Sequence, residues 1–283
     1  AAGRLDDMSI GIECLLAESS ASARGFAEKL HQLNRERRDI EQSMQQDALA
    51  QLESIDLEGD ASLFAMTLYD PAWHQGVIGI LASRIRERVH RPTLVFADAE
   101  EGMLKGSGRS IPGLHLRDVL DQVATRHPGL LTKFGGHAMA AGLSLARDDL
   151  NRFKQALNDA VAEALGYTPP ERTEESDGAL ARSDFGLPLA EQLASGGPWG
   201  QHFPEPLFDG QFFVRSHRIV GEKHLKLTLD ADGTEIEGIA FNIDVPKWLA
   251  APLDAFHALY RLDVNEYRGE RRAQLVIQSF WPC

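Results

Sequence analysis

The sequence predicts an α/β domain followed by a small all-β barrel, with a long helix ahead of both. Three observations carry this. A proline-free stretch from Ser20 to Gln51 repeats apolar residues at intervals of three, four and seven. Apolar strand-length runs then alternate with helical patterns between residues 59 and 166. Beyond Pro206 come five short alternating segments separated by turn residues.

Phe26, Leu30, Leu33, Ile40, Met44 and Ala48 form the stripe of the first helix, opposite the run Arg35 to Asp39, which reads as a solvated face. Residues 62–69 and 92–96 read as buried strands, and 103–108 and 141–145 as two more. Helical periods cover 77–89, 116–124 and 149–165. Thr168-Pro169-Pro170 and the acidic run Glu171 to Asp177 break the hydrophobic period, so 167–204 reads as a linker. Strands are expected over 211–220, 224–229, 234–241, 257–264 and 273–280, with turns at Asp232-Gly233 and Arg268-Gly269. Five strands of that length fit an OB-fold.

With 283 residues, 43% hydrophobic and 25% charged, the chain has room for two cores. No stretch approaches the roughly 20 apolar residues of a membrane span, so no membrane association is expected. Cys14 and Cys283 lie at opposite ends, without a disulfide framework or zinc spacing, which fits a reducing cytoplasm. The formal charge of −13 argues against a coat that neutralises DNA nonspecifically. That charge is uneven: −7 over 1–60, +1 over 61–150, −4 over 151–204 and −3 over 205–283. A local cationic groove in the least acidic segment suits a threaded strand.

That segment holds Lys105-Gly106-Ser107-Gly108-Arg109-Ser110 and Gly135-Gly136-His137-Ala138-Met139-Ala140-Ala141-Gly142. Glycines allow close backbone approach to an anion, and arginine and lysine supply charge-assisted donors, so the pair points to a phosphate pocket. Arg109 is the leading candidate because a guanidinium meets two phosphate oxygens at once; the plain alternative is a turn arginine in a surface ion pair. Ser107, Lys105, Gly136 and His137 join it, Ser107 ahead of Ser110. His74 and Gln75 precede a helix whose free N–H groups can hold a phosphate, although His74 can equally cap that helix and Trp73 be core. Arg84 is preferred over Arg86 and Arg88 as a further contact. In the barrel, Arg215, His217, Arg218, Lys223, His224 and Lys226 form a basic cluster with Phe212, Phe213, Phe241 and Tyr260 nearby, most of which must fill the interior.

The two glycine motifs resemble those of the DHHA1 domain, the substrate-binding partner of DHH-family phosphoesterases. Trp73 to Arg84, Gly3-Arg4-Leu5-Asp6-Asp7-Met8 and Gly197-Pro198-Trp199-Gly200 are similar, in order, to the RecJ single-strand-specific DNA exonucleases of bacteria, over essentially the whole chain. The resemblance implies a DHHA1-type domain with a mixed sheet over 59–166 and an OB-fold over 205–283. Residues 1–19 would end a DHH catalytic domain and 20–58 form a connecting helix. It implies that Arg4 helps recognise a 5′-terminal phosphate and that His137 contacts substrate. Asp6 and Asp7 are expected to cap a helix near Met8 in preference to binding metal. The family's metal-binding carboxylates and Asp-His-His triplet do not occur in this sequence, which opens at Ala1-Ala2-Gly3 without methionine and reads as a fragment. The implied Mn²⁺ or Mg²⁺ is then bound by residues outside the chain, and the chain alone is expected to hydrolyse nothing.

The function so implied is the substrate-binding portion of a 5′-to-3′ exonuclease of DNA repair and recombination, acting on single-stranded DNA with a 5′ end. A single-stranded-DNA-binding protein or a helicase is the expected partner, and a monomer the expected state. Two alternatives stand beside it: a DHH-family phosphodiesterase of short RNA or cyclic dinucleotides, and a nonenzymatic single-strand-binding adaptor. Residues 205–283 favour a polymer over a short substrate.

Overall fold

A computed structural model describes residues 1–53, 55, 62–170, 173–200, 203–221, 223–241, 243 and 254–282. The expected boundary at 58/59, the start of the acidic run at Glu171 and the terminal Cys283 lie outside the described residues. The chain divides into two compact units, Ala1–Arg172 and Thr173–Cys283. Among the described residues no helix is long and apolar enough to cross a membrane.

The first unit opens with two short helices, α1 (Ala2–Leu5) and α2 (Ser9–Leu16), and the long α3 (Ser20–Glu53). At 34 residues, α3 is about 51 Å long at 1.5 Å per residue. Its stripe serves two clients in turn: Leu33 packs with Ala2 and Ile10, whereas Met44, Ala48 and Leu52 enter the core beneath the sheet.

The sheet follows, with β1 (Met66–Tyr69), α4 (Ile78–Val89), β2 (Thr93–Asp98), β3 (Met103–Arg109), α5 (Leu116–Arg126), β4 (Lys133–Gly136), β5 (Ala140–Ala146) and α6 (Leu150–Ala164). Strand order is β1-β2-β3-β5-β4. Only β1 and β2 are parallel; β3 is antiparallel to both β2 and β5, and β4 to β5. The sheet is therefore mixed. Alternation along β2 shows that both its faces are covered: Leu94 and Phe96 join the core of α5 and α6, while Val95 and Ala97 join that of α3 and α4. A strand covered on both faces reads as one continuous apolar run. Phe96 meets Phe153 of α6 edge-on, 5.5 Å between centroids, a geometry that adds about 1 kcal/mol to area burial.

β4 is absent from the sequence expectation. Its four residues include a single large apolar side chain, Phe134, and it is held in register by Gly135 opposite Gly142.

In the second unit β6 (Phe208–Val220), β7 (His224–Ala231), β8 (Thr234–Ala240), β9 (Ala255–Tyr267) and β10 (Glu270–Pro282) close into a barrel in the order β10-β8-β7-β6-β9. Only β8 and β10 are parallel. The segment expected as a featureless linker contains α7 (Leu187–Ser195), begun by Gly186 with Pro188 in its first turn. Ala190 of α7 is fully buried against the barrel core. Thr173 onward thus packs as part of this unit.

Candidate nucleic-acid interface

The placement of Arg109 begins with what lies under β3. A Cβ on Gly106 would stand 2.4 Å from Phe96 Cε1, and one on Gly108 would stand 2.7 Å from Leu116 Cδ2. Both glycines are therefore required by core packing, and the Gly106 backbone also lines the cavity on the other face. Because side chains alternate across a strand, Lys105, Ser107 and Arg109 project from the other face, toward α4. There the missing side chain is that of Gly79: a Cβ would lie 3.0 Å from Arg109 Nη2 and 3.0 Å from Ser107 Oγ. Arg109 Nη1 donates to Ser107 Oγ at 3.2 Å and to the Gly108 carbonyl at 2.8 Å.

A cavity of about 260 Å³ opens over this guanidinium, lined by Arg4, Gln75, Gly76, Lys105, Ser107 and Arg109 among others. None of its lining residues is acidic. Arg4 reaches it because α1 docks on the start of α4, its Nη1 donating to the Gly76 carbonyl at 3.1 Å. The approach depends on glycine, since a Cβ at Gly76 would be 2.0 Å from the Arg4 carbonyl oxygen. Arg109 is half-buried, and its pKa is lowered first by that burial and then by the positive charges of Arg4 and Arg86. Neither Arg109 nor Arg4 has a carboxylate partner among the described residues. Cations gathered without a counter-charge create a potential that an incoming anion relieves.

Arg86 is the residue that sequence reasoning passed over. Seven residues beyond Gly79, it returns to the face of α4 on which Arg109 rests, because seven steps complete nearly two turns. Arg84, the preferred candidate, is five steps from Gly79 and faces the long helix, its Nε 3.6 Å from Glu41 Oε1.

His137 stands at the turn between β4 and β5. Its N–H donates to the Ala140 carbonyl at 2.8 Å, and Ala140 is the partner of Arg109 across β3 and β5. The two residues thus occupy one row of the sheet with a single strand between them, about 10 Å apart at 4.8 Å per strand. Gly136 holds a positive φ of 144°, with the Ala140 carbonyl 2.4 Å from where a Cβ would be. The imidazole is exposed, and the cavity over Arg109 is closed by Arg4, Gln75 and Gly76 without it.

Other candidates have structural employment. His74 Nδ1 accepts from the Gly76 N–H at 3.0 Å, a cap on the approach to α4. Gln75 lines the cavity, and its Nε2 donates to the Asp98 carbonyl at 2.7 Å. Ser110 is buried, with Oγ donating to the Leu114 carbonyl at 2.7 Å. Asp7 accepts from the Ser9 N–H at 2.9 Å, the chief cause of its lowered pKa, and Asp6 pairs with Lys29.

On the barrel the basic cluster is partly neutralised. Arg215 lies 2.6 Å from Asp230 and 3.6 Å from Glu235, and Lys226 lies 2.9 Å from Glu237. Arg218 and Lys223 remain exposed at the β6–β7 end without carboxylate partners among the described residues. Phe212 and Tyr260 fill the interior, whereas Phe213 and Phe241 are 58% and 50% exposed.

The chain is similar to known proteins over its whole length. Residues 60–163 match the DHHA1 domain model and residues 176–279 the RecJ OB domain model. The single-stranded-DNA-specific exonuclease RecJ of Dickeya dadantii is 51% identical over 284 residues. The chain belongs to the RecJ family. The RecJ of Escherichia coli K12 is 47% identical, and each of these two alignments spans 100% of the chain and 49% of the relative. The chain therefore spans about half the length of the curated relatives it matches. Among solved structures, Thermus thermophilus RecJ in complex with Mn²⁺ has a TM-score of 0.75 at 25% identity, covering 100% of this chain and 40% of that one. The Mg²⁺ complex gives 0.74 at the same identity, over 99% of this chain and 41% of that one. The RecJ OB match begins at 176, well before the expected 205, and takes in α7. Among the described residues no group of three or more His, Cys, Asp or Glu is placed to hold a metal ion.

Proposed function

We propose that this chain is the substrate-holding portion of a 5′-to-3′ single-stranded-DNA exonuclease, with the Arg109 cavity receiving the terminal 5′ phosphate. The observation that carries the reading is the half-buried Arg109 guanidinium, without a carboxylate partner among the described residues, beside Arg4 and Arg86. A terminal phosphate monoester carries up to two negative charges and three free oxygens, and converging guanidinia match it better than a single lysine does. Ser107 and Lys105 complete the cradle, and His137, one strand away, contacts the nucleotide beyond it. The barrel, through Arg218 and Lys223 with Phe213 or Phe241, holds the following strand by charge and base stacking.

In this reading residues 59–166 are the substrate-binding domain, 205–283 the core of the strand-binding domain, 20–58 a connecting helix and 1–19 the end of a catalytic domain. The Mn²⁺ or Mg²⁺ of the whole enzyme is held by residues outside this chain. The whole enzyme works in repair and recombination in the cytoplasm, as a monomer fed by a helicase or a single-stranded-DNA-binding protein. Incubation of the chain with Mn²⁺ and 5′-phosphorylated single-stranded DNA tests the division of labour. Binding without release of nucleotides is expected, and metal-dependent turnover by the chain alone contradicts it.

A further inference from the structure

We propose that Lys105, Ser144 and Lys133 form a second anion subsite, taking an internal phosphodiester of the same strand whose 5′ end occupies the Arg109 cavity. The inference rests on the terminal-phosphate reading above. Its geometry comes from the register: Ser144 of β5 pairs with Lys105 of β3 on one side and with Lys133 of β4 on the other. The three side chains therefore form one row on the α4 face of the sheet, with a lysine at each end and a hydroxyl between. A cavity of about 230 Å³ opens there, lined by both lysines, Ser144, Gly142 and Phe134 among others, and none of its lining residues is acidic.

Three features separate this row from an ordinary solvated face. First, other cations of this unit meet carboxylates, Arg126 with Glu163 and Arg147 with Asp98, whereas those lining the two cavities do not, among the described residues. Lys105 and Lys133 have no carboxylate partner among the described residues, in a chain of net charge −13. The two lysines stand about 10 Å apart with Ser144 between them, close enough for their charges to add to one positive potential. Second, the floor beside them is open. A Cβ on Gly135 would meet nothing within 4 Å, and one on Gly142 only the Gly106 carbonyl at 3.8 Å. Gly142 lines the cavity, as the Gly106 backbone does, and its lack of a side chain leaves room for a ligand backbone. Third, the space adjoins the Arg109 cavity, since Lys105, Gly106 and Gly142 line both.

The distance between the two subsites assigns the ligand. Lys133 stands four residues along and two strands across from Arg109, about 16 Å at 3.3 Å per residue and 4.8 Å per strand, with Lys105 between them in reach of either subsite. That exceeds the span of a single phosphate and fits successive phosphates of one strand. The chemistry differs in the same sense, with converging guanidinia for a terminal monoester and two point-charge ammoniums for a singly charged diester without base preference.

The test compares thymidine 5′-monophosphate with a 5′-phosphorylated thymidine octanucleotide, titrated in EDTA against the 283-residue chain and its Lys133→Gln variant. For the octanucleotide the variant is expected to lose about fivefold in affinity at 0.1 M salt, with the slope of log K against log salt shallower by about 0.7, the single-strand value for one phosphate contact. Monophosphate binding is expected to be unchanged. An unchanged slope, or equal weakening for both ligands, overturns the second subsite. Arg109→Ala, measured alongside, should weaken both ligands. If it weakens neither while Lys133→Gln acts as expected, the terminal-phosphate reading fails and the lysine row stands as a strand contact of its own.

Discussion

Arg109 lies against Gly79, its Nη2 3.0 Å from the point where a Cβ on residue 79 would begin. The helix yields space to the strand's guanidinium, and that space holds the cation at the mouth of the cavity. Gly79→Ala should push Arg109 aside at little cost to the fold, because the displaced atoms are the ends of flexible side chains. The expected result is a melting temperature within a few degrees of wild type and about tenfold weaker binding of 5′-phosphorylated single strands, or about 1.4 kcal/mol. Calorimetry and fluorescence anisotropy on the same sample separate the two effects.

Glycines on the two faces of this sheet should answer differently to one methyl group. Gly106→Ala drives a Cβ to 2.4 Å from Phe96 and 2.9 Å from Leu143, and overpacking of that kind costs about 1–3 kcal/mol. Gly135→Ala meets nothing within 4 Å and should leave denaturant stability nearly unchanged. Equal destabilisation of the two variants in urea titration would contradict the assignment of faces.

Two of the arginines of α4 divide by the face of the helix they occupy. Arg84→Ala removes a surface contact with Glu41 at 3.6 Å, worth about 0–1 kcal/mol of stability, and should leave strand binding intact. Arg86→Ala takes positive charge from beside Arg109 and should weaken binding of the 5′-phosphorylated strand several-fold, most visibly at low salt. Binding isotherms at two ionic strengths distinguish them.

In the barrel, Asp209 is held below the usual carboxylate range, first by the Ser176 hydroxyl and next by His257, whose Nε2 lies 2.9 Å away and whose ring stacks on Trp281 at 4.9 Å. A depressed folded pKa stabilises above the unfolded value near 3.9, and that contribution disappears as pH falls through the lower folded value. Hydrogen-exchange protection at the start of β9, measured against the intrinsic rate at each pH, should therefore fall below about pH 4. Asp209→Asn should show faster exchange already at neutral pH and lose that part of the acid dependence.

Much of the fold was legible because burial leaves a period. The stripe of α3, the double-faced run of β2 and the alternation of β7 each follow from which sides are covered. β4 and α7 were not legible, since Lys133-Phe134-Gly135-Gly136 has too little apolar surface to announce a strand and α7 follows an acidic, proline-marked stretch. At the site, sequence identified Arg109, Ser107, Lys105 and Arg4 as candidates but misread why Gly106 and Gly108 are glycine, because nothing in the motif reveals Phe96 and Leu116 beneath them. The choice of Arg84 over Arg86 was open to correction by helix geometry alone, given Gly79 as reference. That Arg215 and Lys226 meet Asp230, Glu235 and Glu237 depends on strand register, which composition does not carry.

The most direct measurement compares a 5′-phosphorylated with a 5′-hydroxyl single strand of the same sequence, titrated against the wild-type chain and Arg109→Ala. Wild type should prefer the phosphorylated strand by about tenfold or more, since a hydrogen bond between charged groups contributes about 1.5–3 kcal/mol, and Arg109→Ala should bind both strands alike. A preference that survives the substitution undiminished would contradict the placement of the terminal phosphate at Arg109.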